Sequence, residues 1–496
     1  MICRRRLSRN PLSIFALLIT VTVICIFLRK TDLPFLSFAN IKQDNLKAFI
    51  TNVEHESVDA DSQSEVQRLK ELDVDGEQST DKLDLELIRK YNESLAAQEE
   101  ENDPFKVNTK KNLVDFINFK TDFRETNYTA NDLKFTIDDL NNRQIMYNID
   151  EYPNLPDSYP VIVVQVHKRV EYFKELLDSL QRTRGIENAL LVISHDFYTD
   201  AMNALIRMIK FCRVIQIFFP FSQQLYPDTF PGPSKDDCPR DTKKEQAVQM
   251  GCINAEHPDK YGHYREAHIT MTKHHWWWKI NVVFDKLLAT KDHHGPVMFI
   301  EEDHYVVPSF YEALMKLHEF KHTDPRCKDS CEILTLGTYN NKENYQFEGS
   351  KVLLGSWVST QHNMGMAMYR STWEKIKKCA NEFCTFDDYN WDWTLMHLSR
   401  SCVGKFLSVL VYEVPRMFHV GDCGLHHTKS CNSKDTLNKV KAIIERNKDF
   451  MFTDKLNIVV QSSLTGGQNP NGGWGDVRDH ELCLRFVTAE QSVMKR

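Results

Sequence analysis

The sequence predicts an α/β domain built on a parallel sheet, placed behind an N-terminal membrane anchor and a polar stem. Three observations predict it. Apolar strands alternate with amphipathic helices in the carboxyl-terminal two thirds of the chain, a charge-free apolar run stands near the amino terminus, and the residues between these regions are polar and lack cysteine. A chain of 496 residues is long enough for one large domain with its own core.

The amino terminus has the pattern of a type II membrane anchor. Four arginines precede a stretch without charge that ends at Arg29 and Lys30. The length of the stretch suits a short membrane helix, and no small-residue cleavage site of a signal peptide follows it directly. Since basic tails stay in the cytosol, the remainder should be lumenal. We therefore predict a cytosolic tail, an anchor, a lumenal stem and a lumenal domain at residues 1–10, 11–28, 29–155 and 156–496.

Cysteine usage and charge agree with a lumenal protein. Eleven of the thirteen cysteines lie from Cys212 onward, so at least one must stay outside intrachain disulfides. No pair of CxxC knuckles suggests a zinc site, and disulfides form in oxidising compartments. Asn92 and Asn127 are possible N-glycosylation sites. The net charge of −7 argues against a nucleic-acid partner.

The alternation of strands and helices begins with the β-branched run Val161–Val166. A helix with one apolar stripe follows, and then come a strand, a helix and a strand at residues 189–196, 199–211 and 213–219. Buried apolar strands joined by helices form right-handed crossovers, which give a parallel sheet that is covered on both faces.

Polar residues follow three of the predicted strands, at 165–169, 194–196 and 301–303. The carboxyl ends of parallel strands meet at one sheet edge, where ligands bind, so these residues predict a pocket. The chain has neither GxGxxG nor a P-loop, which argues against a dehydrogenase or an NTPase. The basic residues at 167–169 and Asp196 would suit the phosphates and the ribose or base of a nucleotide. Alternatively, Lys168 and Arg169 simply begin an exposed helix.

Glu301, Glu302 and Asp303 stand side by side at the end of an apolar run. Adjacent carboxylates repel one another, and a divalent cation would offset that repulsion. The alternative is a solvated strand end. A second ligand could come from His419, which lies in a glycine-rich turn and could supply nitrogen to manganese, although such a histidine can also be purely structural.

Two aromatic segments add candidate groups. In the first, Lys273, His274 and His275 should lie near the start of a helix, where the backbone N–H groups favour an anion. Three consecutive tryptophans follow, and they cannot share one helix face, so at least one should point away from the main packing stripe. Core packing and ordinary surface are the alternatives for the tryptophans and the histidines.

The second aromatic segment, residues 386–399, places Asp387, Asp388 and Asp392 among tryptophans and a tyrosine. Aromatic rings beside carboxylates suit a sugar, and a carboxylate there could take a proton from an attacking hydroxyl. Helix capping is the alternative for Asp387 and Asp388, and it fits Asp392 less well.

The chain resembles the N-acetylglucosaminyltransferase II family of Golgi enzymes over residues 159–483. The stretches that carry the resemblance are VVQVHKR, GHYREA, TKHHWWWK, EEDHY, LGTY, HNMG, CTFDDYNWDWTL, FHVGDCG and NGGWGDVRDHELC. The resemblance implies a GT-A-type, Rossmann-like nucleotide-sugar-binding domain, UDP-GlcNAc as the donor, Mn²⁺ as the cofactor and a mannose-terminated N-glycan as the acceptor.

The resemblance also implies residue roles. Asp303 and His419 would bind the metal, with the acidic triplet as a variant DxD motif, and Asp392 would be the catalytic base. The donor contacts would be Gln165, Val166, His167, Lys168, Arg169, Asp196, Met271, Thr272, Lys273, His274 and His275. The sequence HKR at 167–169 indicates tolerance within the donor motif.

The implied activity is inverting transfer of GlcNAc in β-1,2 linkage to the α-1,6-arm mannose of N-glycans, in a Golgi membrane protein. Two alternatives stay open: a related β-1,2-GlcNAc transferase for another mannose, and a non-catalytic glycan-binding protein of the same fold. The presence of Asp303, His419 and Asp392 together favours an enzyme, because a lectin needs no clamp for a metal and a diphosphate.

Five lumenal disulfides are implied by the same resemblance, since spacing alone cannot fix connectivity. They join Cys238 to Cys252, Cys327 to Cys331, Cys379 to Cys402, Cys384 to Cys483 and Cys423 to Cys431. Cys212 would stay outside this set. It would either pack as a small hydrophobic side chain or link two chains into a homodimer.

Overall fold

The computed structural model describes most of the chain beyond the predicted stem. The described residues are 113–120, 126–328, 330–339, 342–421, 433–461 and 469–488. The predicted anchor at 11–28 and the site at Asn92 lie outside them, whereas Asn127 is described and exposed. Among the described helices, none combines the length and the apolar character that a membrane span requires.

A ten-stranded sheet runs through the centre of the fold, in the strand order β1-β4-β3-β2-β5-β9-β7-β10-β8-β12. Strands β6 and β11 form a separate two-stranded sheet. The strands are β1 Met146–Tyr147, β2 Val161–Val166, β3 Leu190–His195, β4 Arg213–Phe218, β5 Val297–Glu301, β6 His304–Val306, β7 Cys331–Thr335, β8 Lys351–Ser356, β9 Met366–Met368, β10 Ser408–Tyr412, β11 Met417–His419 and β12 Asn457–Val460.

Strands β4, β3, β2 and β5 are parallel, and Val161 lies opposite Leu190 on one side and Val297 on the other. The three predicted strands are confirmed here. The prediction of an entirely parallel sheet is wrong, because β9 runs antiparallel to β5 and β7, and β8 runs antiparallel to β10. A buried apolar run shows that a strand is covered, but its periodicity carries no information about direction.

Both faces of the sheet are covered, as the apolar strands predict. Alternate residues of β2 to β4 belong to two different core clusters, because successive side chains of a strand point to opposite faces. One cluster contains Val161, Val163, Leu190, Val192, Ile215 and Ile217, and the other contains Ile162, Val164, Val166, Leu191, Ile193 and Val214.

The α-helices that cover the sheet and its ends are α1 Ala130–Arg143, α2 Val170–Gln181, α3 Asp200–Arg207, α4 Lys244–Met250, α5 Ala267–Asn281, α6 Phe310–Thr323, α7 Tyr345–Glu348, α8 Ser359–His362, α9 Arg370–Lys378, α10 Ala380–Thr385, α11 Trp391–Ser401, α12 Ser433–Asn447 and α13 Val477–Thr488. Helix α2 buries the predicted stripe, which consists of Phe173, Leu176, Leu177 and Leu180.

The three tryptophans of α5 pack against different neighbours, in agreement with the expectation that they cannot share one helix face. Trp276, Trp277 and Trp278 are all buried. Trp276 stacks on Trp391 of α11 with ring centroids 4.3 Å apart, while Trp278 packs edge-on against Phe219 at 5.5 Å. Most of α5 is covered by protein, so a tryptophan that points away from one packed face meets another one, and only His268 in the first turn is exposed.

Part of the predicted stem packs on the domain. Phe116 is completely buried in one of the two core clusters. In α1, the Asn141 side chain accepts a hydrogen bond from the backbone N–H of Phe218 at 2.8 Å and donates to its carbonyl at 2.7 Å. These contacts hold residues before 156 against the edge of the sheet.

Four of the five predicted disulfides are confirmed: Cys238–Cys252, Cys327–Cys331, Cys379–Cys402 and Cys384–Cys483. The fifth, between Cys423 and Cys431, lies outside the described residues. Cys212 is buried and belongs to none of the four bridges. The Cys384–Cys483 bridge closes the longest loop and joins α10 to α13.

Candidate active site

A cavity of about 1010 Å³ opens at the edge of the sheet where β2, β3 and β5 end. Its wall brings together most of the residues that the sequence singled out. Those that line it are Gln165, His167, Lys168, Arg169, Asp196, Met271, Thr272, Glu301, Asp303, Asp392 and His419. Residues from six separate stretches of the chain therefore converge on one cleft.

The pairing of β6 with β11 brings Asp303 next to His419. His304 lies opposite His419 in the antiparallel register, and the backbone N–H of Val420 donates to the Asp303 carbonyl at 2.9 Å. As a result, Asp303 Oδ2 and His419 Nε2 stand 3.2 Å apart. Gly421 is required beside them, because a Cβ at that position would come within 2.2 Å of Asp303 Oδ2.

The charges of this pair are set by burial and by its neighbours. Burial alone would raise the pKa of Asp303, but the His419 hydrogen bond and the positive charge of Arg169 hold that pKa well below its ordinary value. Burial lowers the pKa of His419, and the Asp303 carboxylate more than offsets this, so the net pKa is raised. The two side chains form an ion pair.

The pair fits a divalent metal with an open coordination sphere. Asp303 Oδ1 is buried and has no hydrogen-bond partner in the described structure, so it keeps a lone pair for a cation. One carboxylate and one imidazole suit manganese, and they leave positions for phosphate oxygens and water. Among the described residues, no group of three or more His, Cys, Asp or Glu side chains could hold a metal. Metal binding here would release the His419 proton.

The three residues of the acidic triplet divide between two roles. Glu302 turns away from the cleft and is buried, where its two oxygens accept hydrogen bonds from the backbone N–H of His167 at 2.7 Å and from Arg169 Nε at 2.6 Å. Arg169 also donates through Nη1 to Asp303 at 2.8 Å. Glu301 lines the cavity near Lys279, and burial raises its pKa. In this triplet, therefore, Glu302 is structural, whereas Glu301 and Asp303 on either side of it line the cleft.

At the end of β3, Asp196 lies between two imidazoles. Its Oδ1 is 2.6 Å from His167 Nδ1, and its Oδ2 is 3.5 Å from His275 Nδ1. His275 is completely buried, and its Nε2 forms a 2.8 Å hydrogen bond with the Ser194 hydroxyl. Burial raises the pKa of Asp196, but the two imidazoles lower it by more than burial raises it. The net pKa is therefore below its ordinary value, and this carboxylate stays charged. His275 thus contributes to the cleft indirectly.

The position of Asp392 is set by the first turn of α11. Its Oδ2 accepts a 2.9 Å hydrogen bond from the Asn363 side-chain amide, and its Oδ1 accepts from the Trp393 N–H at 3.0 Å. Burial raises the pKa of Asp392 above its ordinary value. A half-buried carboxylate with a raised pKa suits a general base.

Helix α5 supports this region from behind instead of binding an anion. It begins at Ala267, so Lys273, His274 and His275 lie in its middle, and the expectation that they stand near the helix start is wrong. Lys273 Nζ donates to the Asp388 carbonyl at 2.7 Å, and His274 Nε2 is 2.9 Å from Asp479 Oδ1. Both side chains are completely buried, as is Val166, and none of the three lines the cavity.

Asp387 and Asp388 tie loops together and do not cap α11, whose N-cap residue is Asn390. Asp388 accepts hydrogen bonds from the backbone N–H groups of Asn390 and Asn471, both at 2.9 Å. Asp387 accepts one from Lys260 N at 2.6 Å. The two carboxylates therefore fix the loop that leads into Asp392.

Sequence reasoning missed three residues of the site. Asn363 and Tyr339 line the cavity beside Asp392, and Lys279 donates to the Gln165 side chain at 2.7 Å from a buried position. All three lie in or next to the stretches HNMG, LGTY and TKHHWWWK that carry the family resemblance. The stretches were the only signal, because no local pattern links residues so far apart in the chain.

The fold and the cleft define an α/β enzyme that has a carboxylate–imidazole pair at the sheet edge and a separate carboxylate base. The chain belongs to the N-acetylglucosaminyltransferase II (MGAT2) family, whose model matches residues 134–483. It is accordingly a glycosyltransferase.

Named relatives agree with this family. The chain is 48% identical to the pig (Sus scrofa) alpha-1,6-mannosyl-glycoprotein 2-beta-N-acetylglucosaminyltransferase over 350 residues, which cover 70% of this chain and 77% of that protein. The human (Homo sapiens) protein of the same name is 46% identical over 349 residues, with the same two coverages. The crystal structure of S. aureus TarS 1-349 matches 59% of this chain and 72% of that one at 9% identity and a TM-score of 0.27, a likeness too weak to support an argument.

The first prediction concerns Arg169, which offsets the buried Glu302 and Asp303. Replacing it with methionine (Arg169→Met) should lower the free energy of unfolding by about 3 kcal/mol, because removing one partner leaves buried charge uncompensated. We choose the low end of the usual cost because the Arg169 side chain is 33% exposed. Urea denaturation measures the change.

Arg446 provides the matched control, since it pairs with Glu343 at 2.9 Å where both side chains are exposed. Arg446→Met should cost less than about 1 kcal/mol. Adding Glu302→Gln to Arg169→Met should recover part of the loss, because it removes one of the unpaired charges. Equal losses in the two arginine variants would contradict the assignment.

Proposed function

We propose that this protein transfers N-acetylglucosamine from UDP-GlcNAc in β-1,2 linkage to the α-1,6-arm mannose of an N-glycan, using a GT-A-type nucleotide-sugar-binding fold. The supporting observation is that one cavity holds both the Asp303–His419 pair and Asp392. The residues of that cavity lie within the family match at 134–483, and the pig relative is named for this reaction. Linkage analysis of the product formed on a defined mannose-terminated N-glycan tests the proposal, and a product with another linkage or on another mannose would refute it.

The donor carries its sugar in α linkage and the product is β-linked, so the anomeric carbon inverts in one displacement. In this step the mannose O2 attacks the anomeric carbon, the bond to the UDP oxygen breaks, and the Asp392 carboxylate takes the O2 proton. The hydrogen bonds from Asn363 and Trp393 hold that carboxylate at the cleft wall. This mechanism parallels that of an inverting glycosidase, with an acceptor hydroxyl in place of water.

Negative charge develops on the departing UDP. Asp303 and His419 would hold Mn²⁺, which supplies positive charge to the diphosphate when bound. Arg169 lies beside Asp303 in the cleft wall and adds a permanent cation, since its guanidinium stays protonated. Lys168 also lines the cavity and is exposed, so it can approach a phosphate without first losing a buried partner.

The nucleoside would bind near Asp196. This carboxylate is charged and shares the cavity wall with His167, Gln165 and Met271. A carboxylate accepts hydrogen bonds from ribose hydroxyls or from a base N–H, which suits the uridine part of the donor. His275 lies beside Asp196 on its buried side, and the Ser194 hydroxyl holds His275 in place through Nε2.

We also propose that residues 11–28 anchor the protein in the Golgi membrane as a single-pass type II protein, with the catalytic domain in the lumen. The disulfides of the domain support an oxidising compartment. Protease protection of intact Golgi vesicles, followed by immunodetection of the catalytic domain, tests this topology. Digestion of the domain without detergent would refute it.

The second prediction concerns the metal pair. Asp303→Asn and His419→Ala should each abolish transfer at limiting Mn²⁺, because the cation loses one of its two protein ligands. Melting temperature and transfer from UDP-GlcNAc are measured together, with His397→Gln as a control. His397 pairs with Glu382 at 2.7 Å and does not line the cavity. Near-normal transfer by either site variant would exclude these ligands.

The third prediction concerns the base. Asp392→Asn should bind UDP as the parent does but transfer roughly two to four orders of magnitude more slowly, because it keeps the shape of the side chain and removes only the proton acceptor. Single-turnover rates and UDP binding measured on the same preparation distinguish the two effects. A loss of less than about tenfold would place the base elsewhere.

The fourth prediction uses pH. Transfer requires charged Asp392, so kcat should fall as pH falls through its raised pKa. The Asn363 hydrogen bond lowers that pKa, and Asn363→Ala should therefore raise it and move the acidic limb of the kcat profile to higher pH. An acidic limb that stays in place while kcat changes would show that Asn363 acts in another way.

A further inference from the structure

Helix α6 carries a His-Glu-x-x-His sequence at residues 318–322, on an element that the proposed reaction does not use. Residues four apart on a helix are neighbours on one face, and the rings of His318 and His322 have centroids 4.4 Å apart. Two imidazoles at this spacing on a helix form a known zinc-binding arrangement. Neither histidine lines the cavity of the active site.

Hydrogen bonds orient both rings for metal binding. His322 Nδ1 lies 2.8 Å from the His318 carbonyl, and a carbonyl can only accept, so Nδ1 carries the hydrogen and Nε2 carries the lone pair of the neutral ring. His318 Nδ1 lies 2.9 Å from the Tyr369 hydroxyl, which can accept in the same way. Metal-binding histidines typically donate their second N–H to such an outer partner.

The end of α6 at which the pair lies also suits a cation. His322 lies in the last turn of α6, where the carbonyl end of the helix favours positive charge.

We propose that His318 and His322 bind a borderline divalent transition cation of the zinc type, through Nε2 of each ring, with water completing the coordination. Imidazole suits zinc better than manganese, so this site differs in chemistry from the Asp303–His419 pair. The described residues contain no set of three ligand-type side chains that could hold a metal. The pair therefore lacks the third protein ligand of a zinc hydrolase, and the inferred function is binding, without a catalytic role for Glu319.

Zinc binding to the untagged full-length chain tests the proposal, since a polyhistidine tag would bind zinc itself. After dialysis against buffered zinc, His322→Gln should retain one zinc ion fewer than the parent, while Glu319→Gln should match the parent. His322 is exposed, so the glutamine should leave the fold and the transfer activity with Mn²⁺ unchanged. Tyr369→Phe should weaken zinc binding roughly 10–100-fold, because it removes the outer partner of His318.

Equal zinc content and equal affinity in the parent and His322→Gln would overturn the proposal. Asp303→Asn separates the two sites, because it should keep the zinc ion that His322→Gln loses. If Asp303→Asn alone removes bound zinc, then zinc occupies only the active site and the α6 pair does not bind it. Unchanged affinity in Tyr369→Phe would overturn the part assigned to that hydroxyl.

Discussion

Two buried carboxylates at the end of β5 constrain the rest of the site. Glu302 and Asp303 are each about 2% exposed or less, and a buried charge is tolerated only with a partner. Arg169 pairs with both at 2.6 and 2.8 Å, so the end of β2 must stand directly beside the end of β5. Asp303 also requires His419, which fixes how β11 pairs with β6. This single cluster therefore positions both the β2 side and the β11 side of the cleft.

The parts of the fold that depend on local pattern could be predicted. The apolar runs of β2, β3 and β4 predict that these segments are strands and that both of their faces are buried. The apolar stripe of α2 predicts which face of this helix packs on the sheet. The roles within the acidic triplet could not be predicted. Side chains alternate between two faces only within a strand, and β5 ends at Glu301, so this alternation does not give the directions of Glu302 and Asp303. Glu302 is a structural side chain only because Arg169 and the His167 N–H meet it there.

Helix α5 shows a second limit. The structure starts it at Ala267 after Glu266, which makes no side-chain cap, so no capping residue marks this start in the sequence. Lys273, His274 and His275 therefore fall one and a half turns or more inside the helix, where their partners are distant in sequence, such as Asp479 for His274. A pattern of residue types indicated that this segment was unusual. Only the tertiary contacts show that it supports the loop before Asp392.

Burial acts in the same direction on Asp303 and Asp392, and their partners decide the outcome. Both would have a raised pKa from desolvation alone. Asp303 faces an imidazole and a guanidinium, so its pKa falls and it remains an anion that can hold a cation. Asp392 faces a neutral amide and a backbone N–H, which are too weak to reverse the effect, so its pKa rises and it becomes the better proton acceptor. Environments that push two pKa values apart are how one cleft assigns different tasks to the same type of side chain.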